Sequence, residues 1–148
     1  MSVYIETAYE SLNKNGEELC GDHADIIRTE DFVLAVLADG LGSGVKANIL
    51  ATMTSRIISS MMSSGATLEE VVETVASTLP VCSERGIAYS TFTIIQIYSD
   101  GRAYLAEYDN PPAVFLRKGR VTELARSTKE IAGKTITEAT FLVQPGDR

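Results

Sequence analysis

The chain has 148 residues, a length that predicts a single domain over residues 1–148 with a core of ordinary size. Its formal net charge of −7 argues against a nucleic-acid backbone as the main partner, because such a partner requires a basic face that displaces counterions. No apolar run reaches the length of a membrane span, and the first residues lack the layout of a signal peptide, so we expect a cytoplasmic protein with no membrane partner.

The first part of the chain predicts strands. Residues 2–11 alternate apolar and polar side chains, a period typical of a strand. Two further strands are expected at residues 24–30 and 32–38, joined by a tight turn. The second of these is apolar on both faces, which is typical of a central strand that is covered on both sides.

Beyond residue 43 the apolar period becomes that of a helix. Apolar side chains recur at four-residue spacing at Val45, Ile49, Met53, Ile57 and Met61. This spacing predicts a helix that ends at Gly65, and we interpret its methionines, Met53, Met61 and Met62, as ordinary helix packing. Thr67 with Glu70 three residues later forms a capping-box pattern, so a second helix is expected to begin there and to end at Pro80. The short link between the two helices predicts an antiparallel pair.

After residue 90 the chain returns to strands. One hairpin is predicted to turn at Asp100-Gly101 and another at Lys118-Gly119, and residues 139–148 begin one more strand followed by a turn. Strands, then a helical pair, then strands in this order predict an α+β layered domain with mostly antiparallel sheets and helices packed on them.

The apolar strand ends on Asp39, and glycines follow at Gly40, Gly42 and Gly44. Three interpretations of this turn are open. A dinucleotide-binding loop would match residues 42–47, but that unit requires a second parallel strand after the helix, and a second helix follows instead. A purely structural turn would need only a cap and glycines with positive φ. A metal site would use the Asp39 carboxylate and the Gly40 carbonyl as hard oxygen ligands for Mg²⁺ or Mn²⁺.

Asp22 favours the metal interpretation. It lies at the start of the strand before the one that ends on Asp39, so a hairpin places both carboxylates at the same end of the sheet. His23 is the only histidine, and it is either a general acid beside Asp22 or a hydrogen-bonded histidine at the surface. A zinc site of Cys20, Asp22 and His23 would crowd its ligands on one strand end, and Cys20 and Cys82 are interpreted as free thiols.

An ordered set of short motifs extends across nearly the whole chain. The set comprises a Gly-Asp pair, an Asp-Gly-Leu-Gly-x-Gly turn, a Ser-Thr strand, an Asp-Asn-Pro-Pro hairpin and a Pro-Gly-Asp turn, at residues 21–22, 39–44, 90–91, 109–112 and 145–147. In this order the motifs resemble the metal-dependent serine/threonine phosphatases of the protein phosphatase 2C (PPM) superfamily. The resemblance is strongest to the bacterial branch that is named after stage II sporulation protein E.

The resemblance implies a β-sandwich of mostly antiparallel sheets flanked by antiparallel helices, with two Mn²⁺ or Mg²⁺ ions at one end. By position, Asp39 would bridge both ions, the Gly40 carbonyl would bind one of them, and Asp22 would be a ligand directly or through water. The ions would hold a water that attacks phosphoserine or phosphothreonine. His23 and Asp109 are expected near the site, where they would contact the metal ligands rather than the ions.

The resemblance also implies a metal ligand that this sequence does not supply. In the family, the Pro-Gly-Asp turn leads into a strand that ends in a further aspartate, whereas this sequence ends at Arg148. One interpretation is a truncated domain that lacks the C-terminal strands and binds metal poorly. Another is that the ligand comes from Asp109 or from a partner chain, for example in a homodimer.

Two functions therefore remain open. The first is a phosphatase that acts on a phosphorylated bacterial regulatory protein, such as an anti-sigma-factor antagonist. The second is a non-catalytic module with the phosphatase fold, which would act in protein binding and regulation.

Overall fold

A computed structural model of the chain describes residues 2–13, 15–16, 20–40, 44–78 and 90–148. Within these ranges the chain forms eight strands and two helices. In chain order they are β1 (Asp22–Arg28), β2 (Phe32–Asp39), α1 (Gly44–Ser63), α2 (Leu68–Thr78), β3 (Thr91–Tyr98), β4 (Arg102–Tyr108), β5 (Leu116–Arg117), β6 (Arg120–Val121), β7 (Ser127–Ile131) and β8 (Lys134–Leu142). The predictions for Gly42, Pro80 and Cys82 lie outside the described residues.

Six of the strands form one sheet in the order β1-β2-β3-β4-β8-β7, and every pairing in it is antiparallel. The helices pack on one face of this sheet, where apolar side chains of both layers form the core. The largest fully buried members are Leu34, Val36, Ile58, Val71, Val72, Val75, Phe92, Ile94 and Ile136. The α+β architecture of mostly antiparallel strands with packed helices is confirmed.

The other face of the sheet is partly covered by the β5-β6 hairpin and its flanks. The rings of Phe115 and Phe141 lie 5.2 Å apart between centroids. Glu107 is buried on this face, and its carboxylate accepts hydrogen bonds from the Ala113 N–H at 2.6 Å and from Arg126 Nε at 2.8 Å. These contacts hold the chain on both sides of the hairpin, which thus forms a second, smaller layer.

The predicted hairpin turns are confirmed at both positions. The chain turns between β3 and β4 at Gly101, with φ of 95°, and between β5 and β6 at Lys118 and Gly119, with φ of 53° and 74°. Because left-handed backbone is rare for residues other than glycine, these dipeptides carried a strong signal.

One strand prediction is wrong, and another strand is confirmed but begins earlier than predicted. Residues 2–11 form no strand, although the Val3 N–H donates a hydrogen bond to the Ser99 carbonyl at 2.9 Å. Residues 2–8 line a cavity of about 950 Å³ together with sheet residues such as Ile95 and Leu105. The last strand, β8, begins at Lys134 rather than near residue 139.

The β7-β8 hairpin was not predicted at all. β7 lies at an edge of the sheet and most of its side chains face solvent, so it lacks the apolar alternation that identifies a strand. Its turn at Ala132 and Gly133 has φ of 50° and 78°, and the glycine was the only signal that sequence offered.

Helix α1 is confirmed, but its buried face differs from the apolar stripe in its first half. Val45, Ile49 and Met53 are 62%, 50% and 38% exposed. Small residues such as Ala47 and Ala51 are buried instead, because they let the helix approach the sheet closely. The interpretation of Met53 as a packing residue is therefore wrong, whereas Met61 and Met62 do pack on the core. Neither described helix is long and apolar enough to cross a membrane.

The capping box at the start of α2 is confirmed. The Thr67 N–H donates to Glu70 Oε2 at 3.1 Å, and the Glu70 N–H donates to Thr67 Oγ1 at 3.3 Å. Each bond gives a partner to a backbone N–H at the start of the helix, where intrahelical partners are absent.

Replacing Thr67 tests this cap. We expect Thr67→Ala to lower the free energy of unfolding by about 1 kcal/mol, the usual effect of losing an N-cap hydroxyl. Urea denaturation measures the change. Ser77→Ala is the control, because Ser77 is exposed on the same helix and its hydroxyl donates to the Thr74 carbonyl, far from the N-terminal cap; equal effects of the two substitutions would contradict the role of the cap.

Candidate metal centre

Asp22 and Asp39 lie directly opposite each other where the β1-β2 hairpin ends. They are partners in the antiparallel register, and their carboxyl groups are close enough to interact. Directly opposed side chains of such a ladder have Cβ atoms about 5 Å apart. The two carboxylates that sequence placed at one end of the sheet are thus brought together by the structure.

The proximity of the two carboxyl groups raises the pKa of Asp22. Partial burial is the largest cause, followed by the negative charge of Asp39 and by the hydrogen bond between the two groups. Ionising both carboxyls together is therefore unfavourable in the absence of a cation. A divalent cation placed between them would remove this repulsion.

Gly40 fixes the turn that follows Asp39. Its N–H donates a hydrogen bond to the Gly21 carbonyl at 2.8 Å, and a Cβ atom at this position would lie 1.9 Å from the Ala47 carbonyl oxygen of α1. The backbone of the turn therefore runs directly against the helix, and only glycine fits. This steric requirement explains the glycine without any ligand, so the structural interpretation of the turn retains part of its support.

A second contact ties α1 to the start of β1. Asn48 Nδ2 donates a hydrogen bond to the Cys20 carbonyl at 2.9 Å, and the Asp22 N–H donates to Cys20 Sγ at 3.5 Å. The backbone on both sides of the carboxylate pair is therefore held by the first turns of the same helix.

On the next strand, a hydroxyl network borders the carboxylate pair. Thr91 lies opposite Asp39 in the β2-β3 register, and its hydroxyl donates a hydrogen bond to Asn110 Oδ1. Asn110 Nδ2 donates to Thr93 Oγ1 at 2.9 Å and to the Leu37 carbonyl at 3.4 Å. Sequence reasoning missed Asn110; the signal available was an amide placed before Pro-Pro at the end of a strand.

The structure does not bring His23 to the carboxylate pair. Neighbouring residues of a strand point to opposite faces, and His23 faces α1 together with Asp25, with 3.8 Å between His23 Nε2 and Asp25 Oδ1. Asp25 in turn accepts a hydrogen bond from the Ser59 hydroxyl at 3.3 Å and lies 3.3 Å from Arg56 Nε. The histidine therefore belongs to a polar cluster between strand and helix.

Asp109 follows β4 with a φ of 51° and is exposed to solvent. Its neighbour Asn110 contacts the end of the sheet through the hydrogen bonds given above. The left-handed backbone at Asp109 turns the chain so that the Asn110 side chain reaches Thr91 and Thr93.

The donor set fits a hard divalent cation in its chemistry. Asp22, Asp39 and the Gly40 carbonyl offer oxygen ligands, which Mg²⁺ and Mn²⁺ prefer while keeping several waters. In the described part of the chain no group of three or more His, Cys, Asp and Glu side chains is close enough to hold a metal ion. The zinc set that includes Cys20 and His23 is therefore not assembled.

The dinucleotide interpretation of the turn is wrong. β2 and β3, which flank the helical pair in the chain, run antiparallel, whereas a dinucleotide-binding unit needs a parallel pair.

Comparison with known proteins identifies relatives of the fold. The family model described as stage II sporulation protein E (SpoIIE) matches residues 29–148. The chain is similar to the solved structure of the PP2C phosphatase domain and a fragment of the regulatory domain of SpoIIE from Bacillus subtilis, with 21% identity and a TM-score of 0.74, over 91% of this chain and 41% of that one. No curated protein matched the chain.

Two further structures resemble the chain to a similar degree. One is described with the bacterial stressosome, a modular system adapted to control secondary messenger signalling; it is 22% identical with a TM-score of 0.70, over 92% of this chain and 69% of that one. The other is RsbX in complex with magnesium, 20% identical with a TM-score of 0.68, over 92% of this chain and 67% of that one. Likeness at these identities shows a shared fold, and the chain spans less than half of the SpoIIE structure.

Proposed function

Since the chain belongs to the stage II sporulation protein E (SpoIIE) family, we propose that it contributes the Asp22–Asp39 end of a divalent-cation-dependent phosphoprotein phosphatase site. The observation that carries the proposal is the pairing of these two carboxylates across the β1-β2 ladder. The shared fold with a PP2C phosphatase domain supports the reaction class.

Asp39 and Asp22 would hold the cation through their carboxylates, and the Gly40 carbonyl would add a neutral oxygen. When bound, a divalent cation supplies an activated water and neutralises charge on the phosphoryl oxygens. Two ions, Mn²⁺ or Mg²⁺, are proposed, and the description of RsbX with magnesium supports this type of cation.

The residues of the chain position these ligands. The ladder between β1 and β2 fixes the separation of the carboxylates, and the contact of Gly40 with Ala47 fixes the turn that carries the carbonyl. Because His23 faces α1, the proposal assigns it no proton transfer at the substrate. Asp109 acts only through the turn that presents Asn110.

We assign as substrate a phosphoserine or phosphothreonine of a bacterial regulatory protein, for example one of the anti-sigma-factor antagonist type. One structural relative supports this assignment, because it is described with the bacterial stressosome, a modular system adapted to control secondary messenger signalling. A non-catalytic binding module is the second candidate. This candidate is favoured because the described residues bring together only two candidate ligand side chains, and no group of three.

Metal-dependent hydrolysis tests the proposal. We expect the chain to hydrolyse p-nitrophenyl phosphate and a phosphoserine protein with a rate that rises and saturates as Mn²⁺ is added, and that falls to background when EDTA removes the ion. Hydrolysis that persists in EDTA would contradict the mechanism. Retained binding of the phosphorylated protein with no hydrolysis at any Mn²⁺ concentration would instead identify a binding module.

A further inference from the structure

One side of helix α1 carries an exposed apolar stripe, formed by Val45, Ile49 and Met53. Residues four apart lie on the same side of a helix, so the three side chains form one row along about 12 Å of the helix axis. Among the described elements α1 packs on β1, β2 and α2, and its buried residues include Ala47 and Ala51. Single exposed apolar side chains are common, but a row of this kind is the form in which a helix offers anchors to another helix.

The two charged residues of α1 are both positive and both border the stripe. Lys46 is exposed beside Val45, and Arg56 follows Met53 by three residues. Arg56 Nε lies 3.3 Å from Asp25 Oδ2, but the Arg56 side chain is still 67% exposed. α1 contains no Asp or Glu, so the stripe and its borders form a local basic surface on a chain whose formal net charge is −7.

A second copy of the chain fits this surface poorly. In a two-fold contact the same patch meets itself, so the cations Lys46 and Arg56 of one copy would face those of the other. Exposed acidic residues lie on α2, at Glu69, Glu70 and Glu73. The leucine and all the valines of α2 are buried, however, so α2 of another copy would offer negative charge without an apolar row.

An anionic membrane also fits less well than a protein helix. Segments that bind anionic lipids carry clusters of about four to eight Lys and Arg residues. α1 has two, and the helix packed beside it exposes three glutamates, which an anionic surface repels. Apolar anchors in one row with few cations beside them match an amphipathic helix more closely.

We propose that the Val45–Ile49–Met53 stripe is the docking surface for an amphipathic helix of a partner protein, in which acidic residues flank the apolar side chains. The stripe supplies the apolar area that is buried on binding. Lys46 and Arg56 pair with the acidic flank and thereby select the partner, because complementary charge gives specificity. The surface uses none of the candidate metal ligands, so the proposal does not depend on the proposed function.

Two synthetic helical peptides test the proposal. Both carry leucines at four-residue spacing, and the positions beside the leucines are glutamate in one peptide and lysine in the other. We expect the acidic peptide to bind the wild-type chain, measured by fluorescence anisotropy. Ile49→Ser should weaken this binding about tenfold, as for the truncation of one anchor of an interface. Lys46→Glu should weaken binding of the acidic peptide and strengthen binding of the basic one.

Val121→Ser and Arg120→Glu are the matched controls. Both residues are exposed on β6, far in sequence from α1, and neither substitution should change the Kd of the acidic peptide. The Tm of Ile49→Ser should equal that of the wild type, because substitutions of exposed side chains have little effect on stability. If Ile49→Ser lowers the Tm, Val45→Ser replaces it, since Val45 is the most exposed residue of the stripe.

Three outcomes would overturn the proposal. The first is a wild-type chain that binds neither peptide, or both with equal Kd. The second is equal loss of binding in the stripe variant and in Val121→Ser. The third is another occupant without binding of the acidic peptide: a dimer in sedimentation velocity, or cosedimentation with phosphatidylglycerol vesicles, that Ile49→Ser abolishes.

Discussion

Asp39→Asn should abolish specific Mn²⁺ binding and, with it, metal-dependent phosphate ester hydrolysis. The substitution keeps the shape of the side chain but removes the charge of the ligand that is proposed to be shared between the ions. Loss of groups that merely orient metal ligands weakens binding by about 10–100-fold, so loss of the ligand itself should exceed that range. Calorimetric titration with Mn²⁺ and the hydrolysis of p-nitrophenyl phosphate measure the two effects.

Asp31→Asn provides the matched control for Asp39. Asp31 is an exposed aspartate beside the same strand but at its other end, so the change in net charge is identical. Its Mn²⁺ affinity and hydrolysis rate should equal those of the wild type. Wild-type activity in Asp39→Asn, or equal losses in both variants, would contradict the assignment of the site.

Asp39→Asn should also change how the stability of the metal-free protein depends on pH. Burial and the neighbouring Asp39 raise the pKa of Asp22 above its ordinary value of 3.8, so the native state holds this proton more tightly than the unfolded chain does. The free energy of unfolding therefore falls as the pH rises from 3.8 through the raised pKa. Asp39→Asn removes the negative neighbour, and the fall over this pH range should become smaller in denaturation experiments in EDTA.

Gly40→Ala is expected to destabilise the protein more than a methyl group added at Gly101 or Gly133. The new Cβ would lie 1.9 Å from the Ala47 carbonyl oxygen, a backbone atom that cannot rotate away. Either β2 or α1 must shift, which should cost about 3 kcal/mol, the upper part of the usual range for overpacking. For a chain of this size the Tm should fall by about 6–12 °C.

Gly133→Ala separates steric conflict from backbone strain. Gly133 has a φ of 78° and nothing within 4 Å of an added Cβ, so only the left-handed conformation opposes the methyl group. We expect a smaller loss of about 1–2 kcal/mol there. A Gly40→Ala protein as stable as Gly133→Ala would show that the turn does not press on the helix. Differential scanning calorimetry measures both.

Local chemistry made the carboxylate pair predictable. A two-strand hairpin places the residue before one strand and the residue after the other at the same end, so the pairing of Asp22 with Asp39 followed without any knowledge of the remaining fold. The capping box of Thr67 and Glu70 was visible for the same reason, because its partners lie within one turn. Because neighbouring side chains of a strand point to opposite faces, the sequence of β1 also implied that His23 and Asp22 lie on different faces of the sheet.

Contacts between distant residues were not predictable in this way. Asn110 meets Leu37 across 73 positions of sequence, and nothing in the local pattern at either residue indicates the other. The buried face of α1 was predicted wrongly because helix periodicity identifies apolar positions but does not show which of them face the sheet. The helix lies close to the sheet, so alanine side chains are buried there, whereas Val45 and Ile49 are exposed. Packing distance, rather than hydrophobicity, decided that face.

The place of β1 at the edge of the sheet has a consequence for cation binding. β2 is held by hydrogen-bonded ladders on both sides, whereas among the described strands β1 pairs with β2 alone. Opening β1 breaks one ladder and opening β2 breaks two, so the amides of β1 should exchange with solvent through smaller, more frequent local unfolding events. Asp39 thus stays in place while Asp22 can leave and return with its strand. A cation that bound both carboxylates would hold this edge strand in place, and its affinity would include the free energy of keeping β1 paired.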